Sequence, residues 1–284
     1  MVTARSATVR EATYLSALRC SPSRLSMAIV VSILESHPIF KLREQELEEA
    51  RAIQGVMQPT QPLRAERVTI SHEFRPAAEV GGDYLDYFFM SDGTLGLYVG
   101  DVSGKGLPAA LYSALAVGTL RGIHKTGMHP SRVIYLLNQR LMLRGILGRH
   151  TAIQYATFDP ASAEMNIVSA GMPGPFLLRG NELLVLQVAG IPPGLFADVN
   201  YDELKLHLEP GDTVLFCTDG LTDARNIHEE GFEIEGLKKV CQEHAGESRM
   251  ELVGHIFRSI EQFSTNCDQF DDMTAAVFHY SDSE

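Results

Sequence analysis

Four segments of the sequence place an aspartate beside glycine or a turn at the end of an apolar stretch. They are 81–86, 100–106, 218–223 and 271–274. Strand ends can bring side chains into a shared crevice, and glycine lets a backbone carbonyl approach a ligand. Carboxylates from separate strands that meet at one point repel each other unless a cation lies between them. Because Mg²⁺ and Mn²⁺ prefer oxygen ligands, the four segments together predict a metal site, although each one alone predicts only a turn.

The apolar pattern around these segments predicts an α+β fold. Many strands are joined by hairpins and the helices come in pairs, which differs from an alternating βαβ pattern. Strands are predicted over 67–75, 84–90, 94–100, 152–158, 164–170, 175–178, 183–186, 203–208, 213–218 and 273–280. Helices are predicted over 107–123, 131–147, 234–244 and 249–265.

The region before the first predicted strand divides into two parts. Residues 1–25 show no clear periodicity, and residues 1–37 are predicted to be a variable or poorly ordered arm. Residues 38–58 are predicted to form an amphipathic helix that prolines 59 and 62 stop. Its apolar stripe consists of Leu47, Ala50, Ile53 and Met57. Two interpretations remain open: packing on its own domain, or a linker or dimerisation helix that carries a signal.

The net charge and the cysteine content indicate which partners and which cellular compartment to expect. The net charge of −12 is concentrated after residue 45, and an acidic body repels nucleic acid and anionic lipid surfaces, so neither is expected as a partner. None of the four cysteines forms a Cys-x-x-Cys pair, which fits a reducing compartment and predicts a cytoplasmic protein. The apolar run at 27–34 is far shorter than the roughly 20 residues of a membrane span.

Several ordered blocks resemble the signature of the SpoIIE/RsbU branch of the metal-dependent (PPM) serine/threonine protein phosphatases. The resemblance covers roughly residues 45–280. It is carried by 79–83, by Gly-Asp-Val-Ser-Gly-Lys-Gly-Leu-Pro-Ala-Ala-Leu at 100–111, by 169–171 with Pro173, by Gly190 with 193–195, and by the two carboxyl-terminal aspartate segments. It implies an αββα sandwich of two antiparallel sheets flanked by helix pairs. The phosphatase domain would then span 62–282, preceded by a linker helix.

The same resemblance implies a site with two Mn²⁺ or Mg²⁺ ions. Asp101 would bridge both ions, and Val102 would lend its backbone carbonyl. Asp83 would hold one ion, while Asp219 and Asp271 would hold the other. Two metals that share a water can lower its pKa and neutralise phosphoryl oxygens, so hydrolysis would need no covalent phospho-enzyme.

Four neighbouring assignments stay open in the sequence. Asp272 is an alternative to the adjacent Asp271, and Asp223 is either a ligand of a third, weaker metal site or a surface acid. Asp86 is interpreted as a residue that supports the site or faces outward. Arg75 is the nearest candidate for a phosphate-binding arginine, although a role on the strand surface fits it better.

The sequence departs from the family pattern at one position and excludes three other functions. Met172 stands where relatives usually carry a histidine, which predicts a local change in packing. A P-loop is excluded because the spacing before Lys105 is one residue short. A cysteine phosphatase is excluded because Cys217 and Arg225 are too far apart for Cys-x₅-Arg. A diguanylate cyclase is excluded because its fold has no place for the later acidic blocks.

By resemblance, the substrate would be a phosphoserine or phosphothreonine on a regulatory protein, a STAS-type anti-sigma-factor antagonist. The remaining alternative is a pseudophosphatase that binds a phosphoprotein without catalysis. A homodimer through residues 38–58 is a further hypothesis. A coil of two such segments could pack on the helices over 107–123 and 131–147 and thereby set the position of Asp101.

Overall fold

The computed structural model describes residues 38–124, 127–143, 145–146 and 148–281. The predicted arm over 1–37 lies outside the described residues. The first described helix, α1, runs from Pro38 to Gly55, close to the predicted 38–58. One compact unit ends at Glu49 within α1, and a second begins at Ala50 and contains every strand described here.

Eleven strands of the described chain form two antiparallel sheets. The first sheet has the order β1-β2-β11-β10-β7-β8 and the second has the order β3-β4-β5-β6-β9. The strand bounds are β1 Leu63–Arg64, β2 Val68–Arg75, β3 Tyr84–Phe89, β4 Leu95–Val102, β5 Thr151–Asp159, β6 Glu164–Ala170, β7 Phe176–Arg179, β8 Glu182–Val185, β9 Leu204–His207, β10 Thr213–Cys217 and β11 Met273–Tyr280.

The two sheets pack face to face around an apolar core. Leu85, Val99 and Phe158 from the second sheet share this core with Phe216 and Phe278 from the first. The rings of Phe158 and Phe278 meet edge to face, with centroids 5.0 Å apart. Alternate strand residues that point inward account for this layer, as the period of two in the sequence requires.

Two helix pairs cover the outer faces of the sheets. Helices α2 (Gly106–Ile123) and α3 (Pro130–Met142) share a buried cluster with Tyr98 and Tyr155 of the second sheet. Helices α4 (Glu233–Glu243) and α5 (Leu252–Phe263) share one with residues of the first sheet, including Leu215 and Val277. The predicted αββα sandwich is therefore confirmed.

Some predicted boundaries are wrong. The helix predicted over 131–147 ends at Met142, and the Leu143 N–H closes its last turn on the Gln139 carbonyl. The helix predicted over 249–265 is shorter, Leu252–Phe263. The two-residue strand β1 was not predicted, because so short a segment carries no periodic signal.

No helix among the described residues is long and apolar enough to cross a membrane.

Candidate metal centre

The four predicted aspartate segments lie at ends of strands that are paired or face each other. Asp83 directly precedes β3 and Asp101 lies near the end of β4, its neighbour in the second sheet. Asp219 follows β10 and Asp271 precedes β11, its neighbour in the first sheet. Because the sheets are stacked, one edge of the sandwich brings these carboxylates together.

Asp83 joins the two sheets through hydrogen bonds. The hydroxyls of Thr218 and Thr274, in the first sheet's loop and strand, donate to its Oδ2 at 2.8 and 2.6 Å. Its Oδ1 is buried and has no hydrogen-bond partner among the described residues. Burial, with the nearby Asp101 charge, raises the pKa of Asp83 well above its ordinary value. An unpartnered carboxylate oxygen in an acidic cluster fits a divalent cation, which would supply the missing partner.

Asp101 and the carbonyl of Val102 line one space beside Gly82. A Cβ on Gly82 would lie 2.9 Å from the Val102 oxygen and 3.3 Å from Asp101 Oδ1, so glycine keeps both oxygens accessible. The Thr151 hydroxyl donates to the Asp101 backbone carbonyl at 2.8 Å and fixes this strand end. Burial, and then the charge of Asp219, raises the pKa of Asp101 to about 6.

Asp271 and Asp272 have different surroundings. The buried Asp272 carboxylate accepts the N–H groups of Ala77 and Gly82 at 2.7 and 2.6 Å, so both of its oxygens are bound to backbone. The half-exposed Asp271 carboxylate faces Lys105, with 3.5 Å between Oδ2 and Nζ. Of the two, Asp271 keeps a carboxylate oxygen that is not taken by a backbone amide, and Asp272 holds the loop before Asp83.

Asp219 begins a 3₁₀ turn, Asp219–Leu221, that packs against the last aspartate segment. A Cβ on Gly220 would lie 1.9 Å from the Asp272 carbonyl, so only glycine permits this contact. Burial, with the charges of Asp223 and Asp271, raises the pKa of Asp219. Asp223 is exposed, and its N–H donates to the Asp219 carbonyl at 2.8 Å. This segment therefore lies beside the other acids, with Asp223 at its solvent side.

In the described part of the chain, no three aspartates have ligating oxygens within 4.8 Å of one another, so these carboxylates do not form a closed set of metal ligands. Among the described residues, the one group of three ligating side chains with atoms within 4.8 Å of one another is His244, Glu247 and His255. Arg258 lies 3.0 Å from His255 Nδ1, and since arginine can only donate, it holds the histidine proton on Nε2. That nitrogen faces Glu247 at 2.7 Å and has no lone pair for a metal. The three side chains are therefore engaged with one another and with Arg258, and they do not offer a set of free metal-ligand atoms.

Three residues weighed in the sequence are engaged in other contacts. Arg75 lies 2.6 Å from Glu73 and 3.5 Å from Glu261, which agrees with a role on the strand surface. Asp86 accepts two bonds from Arg121 of α2, at 2.9 and 2.7 Å, and so ties β3 to that helix. Met172 is buried, and its carbonyl accepts the Ser169 hydroxyl at 2.9 Å.

Sequence reasoning missed Gln54, in the last turn of α1. Its side chain is 4% exposed and forms two hydrogen bonds with the backbone of Gly81, beside the predicted ligands. One signal was available: Gln54 lies four residues after Ala50 and seven after Leu47, in line with the apolar stripe. Thr218 and Thr274 were also missed as partners of Asp83, because hydroxyls at strand ends are common.

Comparison with known sequences places these residues in a family. The family model for stage II sporulation protein E (SpoIIE) matches residues 91–281. Phosphoserine phosphatase RsbU of Bacillus subtilis (strain 168) is 30% identical over 221 residues. That alignment covers 76% of this chain and 65% of RsbU, so the chain spans just under two thirds of that relative.

Comparison with solved structures shows the same fold. The SiaA-PP2C domain of Pseudomonas aeruginosa has a TM-score of 0.75 at 23% identity, covering 87% of this chain and all of that domain. RsbX, in complex with magnesium, has a TM-score of 0.59 at 18% identity, covering 78% of this chain and 99% of that one. The two stacked sheets with outer helix pairs are thus an arrangement that occurs in known proteins.

Proposed function

The chain belongs to the stage II sporulation protein E (SpoIIE) family, and from that membership we propose that it is a metal-dependent protein phosphatase. It hydrolyses a phosphoserine or phosphothreonine on a regulatory protein. The observation that carries the proposal is the buried Asp83 Oδ1, which lacks a partner in the described chain although acids crowd around it. The phosphoserine phosphatase RsbU, as a relative, supports the reaction class.

Four carboxylates and one backbone carbonyl would hold two divalent ions, Mn²⁺ or Mg²⁺. The proposed ligands are Asp83, Asp101, Val102 (carbonyl), Asp219 and Asp271. Bound divalent ions supply an acidified water and positive charge for the phosphoryl oxygens. The complex of RsbX with magnesium, in the same fold, supports this class of ion.

The chain's own residues position and shield the ligands. Thr218 and Thr274 fix Asp83 Oδ2 and thereby aim Oδ1 into the cluster. Asp272 binds the Gly82 N–H and keeps the loop before Asp83 close to the first sheet. Burial of Asp83 and Asp272 strengthens the charge interactions of these two carboxylates, because little water competes.

We also propose a substrate protein and a pairing of two copies of the chain. A phosphorylated STAS-type anti-sigma-factor antagonist is the proposed partner, as the resemblance to the SpoIIE/RsbU branch implies. The domain responsible spans 62–282. Residues 38–58 act as a linker through which two copies pair. Their contacts with the phosphatase domain support a regulatory role: Gln54 binds Gly81, and Arg121 of α2 donates to the Met57 carbonyl at 2.7 Å.

The proposal is tested by turnover of a phosphoserine peptide with Mn²⁺, after chelation, and after Mn²⁺ is restored. We expect chelation to abolish phosphate release and Mn²⁺ to restore it. Full activity after exhaustive chelation would contradict the metal mechanism. Tight binding of the phosphopeptide with no release under any metal condition would favour the pseudophosphatase alternative.

A further inference from the structure

Lys105 lies in the loop between β4 and α2, at the edge of the aspartate cluster. Glycines on both sides of it have left-handed backbone, with φ +94° at Gly104 and +67° at Gly106. These conformations cost a non-glycine residue energy, and here they turn the chain sharply around Lys105. The loop thus holds one ammonium group next to the predicted metal ligands.

The Lys105 ammonium makes three contacts within the protein and is still partly exposed to solvent. Its Nζ lies 3.5 Å from Asp271 Oδ2 and 3.8 Å from the centre of the Phe270 ring, and it donates to the Phe270 carbonyl. An ammonium has three donors, and 3.5 Å is too long for a strong hydrogen bond to Asp271. The side chain is 51% exposed, so donor capacity remains on the solvent side.

The other cations near the site form no ion pair with a predicted ligand among the described residues. Arg75 pairs with two glutamates, Arg121 with Asp86, and the Arg149 guanidinium donates to the Ser103 carbonyl. Among the described residues, Lys105 alone forms an ion pair with one of the predicted ligands. A cluster of carboxylates repels a phosphate dianion, and a mobile ammonium at its edge would add to the attraction that bound divalent ions supply.

We propose that Lys105 is the side chain that binds the substrate phosphoryl group, the role for which the sequence offered only Arg75. The inference rests on the proposed phosphatase function. When the charge of Asp271 is taken up by a cation, the ammonium loses its partner and its flexible stem lets it contact a phosphoryl oxygen. A lysine acts there as a point charge, without the paired donors of arginine.

The test measures binding of inorganic phosphate directly. Wild type, Lys105→Gln, Lys105→Arg and a matched control, Lys239→Gln, are titrated with phosphate in saturating Mg²⁺, and the shift in melting temperature is recorded. Lys239 is exposed on α4 and contacts Glu243 only loosely, at 3.9 Å. We expect Lys105→Gln to need about tenfold more phosphate, since a charged hydrogen bond is lost. Lys105→Arg should retain most of the affinity and Lys239→Gln all of it.

Two further readouts separate phosphate binding from an effect on the metals. The KM for a phosphoserine peptide should rise in Lys105→Gln by a factor similar to the loss of phosphate affinity. The Mg²⁺ concentration for half-saturation should stay the same or fall, because a positive charge beside Asp271 is removed. Unchanged phosphate binding in Lys105→Gln would overturn the proposal. A defect that disappears at higher Mg²⁺ would also overturn it, since Lys105 would then act through the metals.

The phosphate titration does not depend on turnover. If wild type releases no phosphate from the peptide, the proposed phosphatase function fails. The comparison of phosphate binding between wild type and Lys105→Gln still decides the role of Lys105.

Discussion

Gln54 and Gly81 exchange two hydrogen bonds. The Gln54 side-chain nitrogen donates to the Gly81 carbonyl at 2.7 Å, and the Gly81 N–H donates to Gln54 Oε1 at 3.1 Å. Gly81 lies two residues before Asp83, so the last turn of α1 is joined to the loop that carries a proposed metal ligand. A displacement of about 1 Å at such a ligand can cost a hundredfold in rate, so this contact offers a way to control the site.

Replacing Gln54 should weaken both the fold and the site. Gln54→Ala removes two buried hydrogen bonds and leaves the Gly81 backbone unpaired, which should lower the free energy of unfolding by about 1–3 kcal/mol. We also expect a higher Mn²⁺ requirement for turnover, measured by metal titration. Gln45→Ala, at an exposed position of the same helix, is the control. Equal metal requirements in the two variants would show that the contact is only structural.

Substitutions of Asp271 and Asp272 should affect different properties: metal binding for Asp271 and stability for Asp272. Asp272→Asn loses charged acceptors for two backbone N–H groups, so its free energy of unfolding should fall by about 2–4 kcal/mol. Asp271→Asn should unfold like wild type without metal but need much more Mn²⁺ for activity. Denaturant unfolding and Mn²⁺ titration of both variants measure this. The reverse pattern would make Asp272 the ligand.

The substitution Asp101→Asn should lower turnover and raise the stability of the metal-free protein. Turnover should fall at least about a hundredfold, because the proposed bridging carboxylate loses its charge. Without metal, the variant should be more stable than wild type by about 1 kcal/mol, since a buried charge close to Asp83 and Asp219 is removed. Phosphopeptide turnover and metal-free unfolding give the two values. Near-normal turnover would refute the assignment of Asp101.

A protein that begins at Pro62 should lose control by the linker. It lacks Gln54, which binds Gly81, and Met57, whose carbonyl binds Arg121 of α2. We expect a monomer with weaker Mn²⁺ affinity and lower turnover than the full chain, measured by light scattering, metal titration and phosphate release. If the shortened protein folds and equals the full chain in all three, residues 38–58 are a passive tether.

The bounds of some elements could be predicted from the sequence and those of others could not. Strands β6 and β11 have the predicted bounds, because alternating apolar residues and flanking turns mark both ends. The end of α3 was predicted five residues too late, since the apolar residues after Met142 continue the pattern although the backbone does not. Arg75 was the only phosphate-binding candidate in the sequence, and its two glutamate partners became known only from the folded chain.

The sequence by itself determined the α+β class and the four aspartate segments, because hydrophobic period and glycine-flanked acids are local properties of the chain. The αββα arrangement was predicted from the resemblance of the ordered blocks to a known family. Only the tertiary structure decided what each carboxylate contacts. Adjacent residues such as Asp271 and Asp272 have the same local signal, yet one faces Lys105 and the other binds Gly82, 190 residues away in the chain. Contacts between groups so distant depend on how the two sheets stack, and no local pattern records that packing.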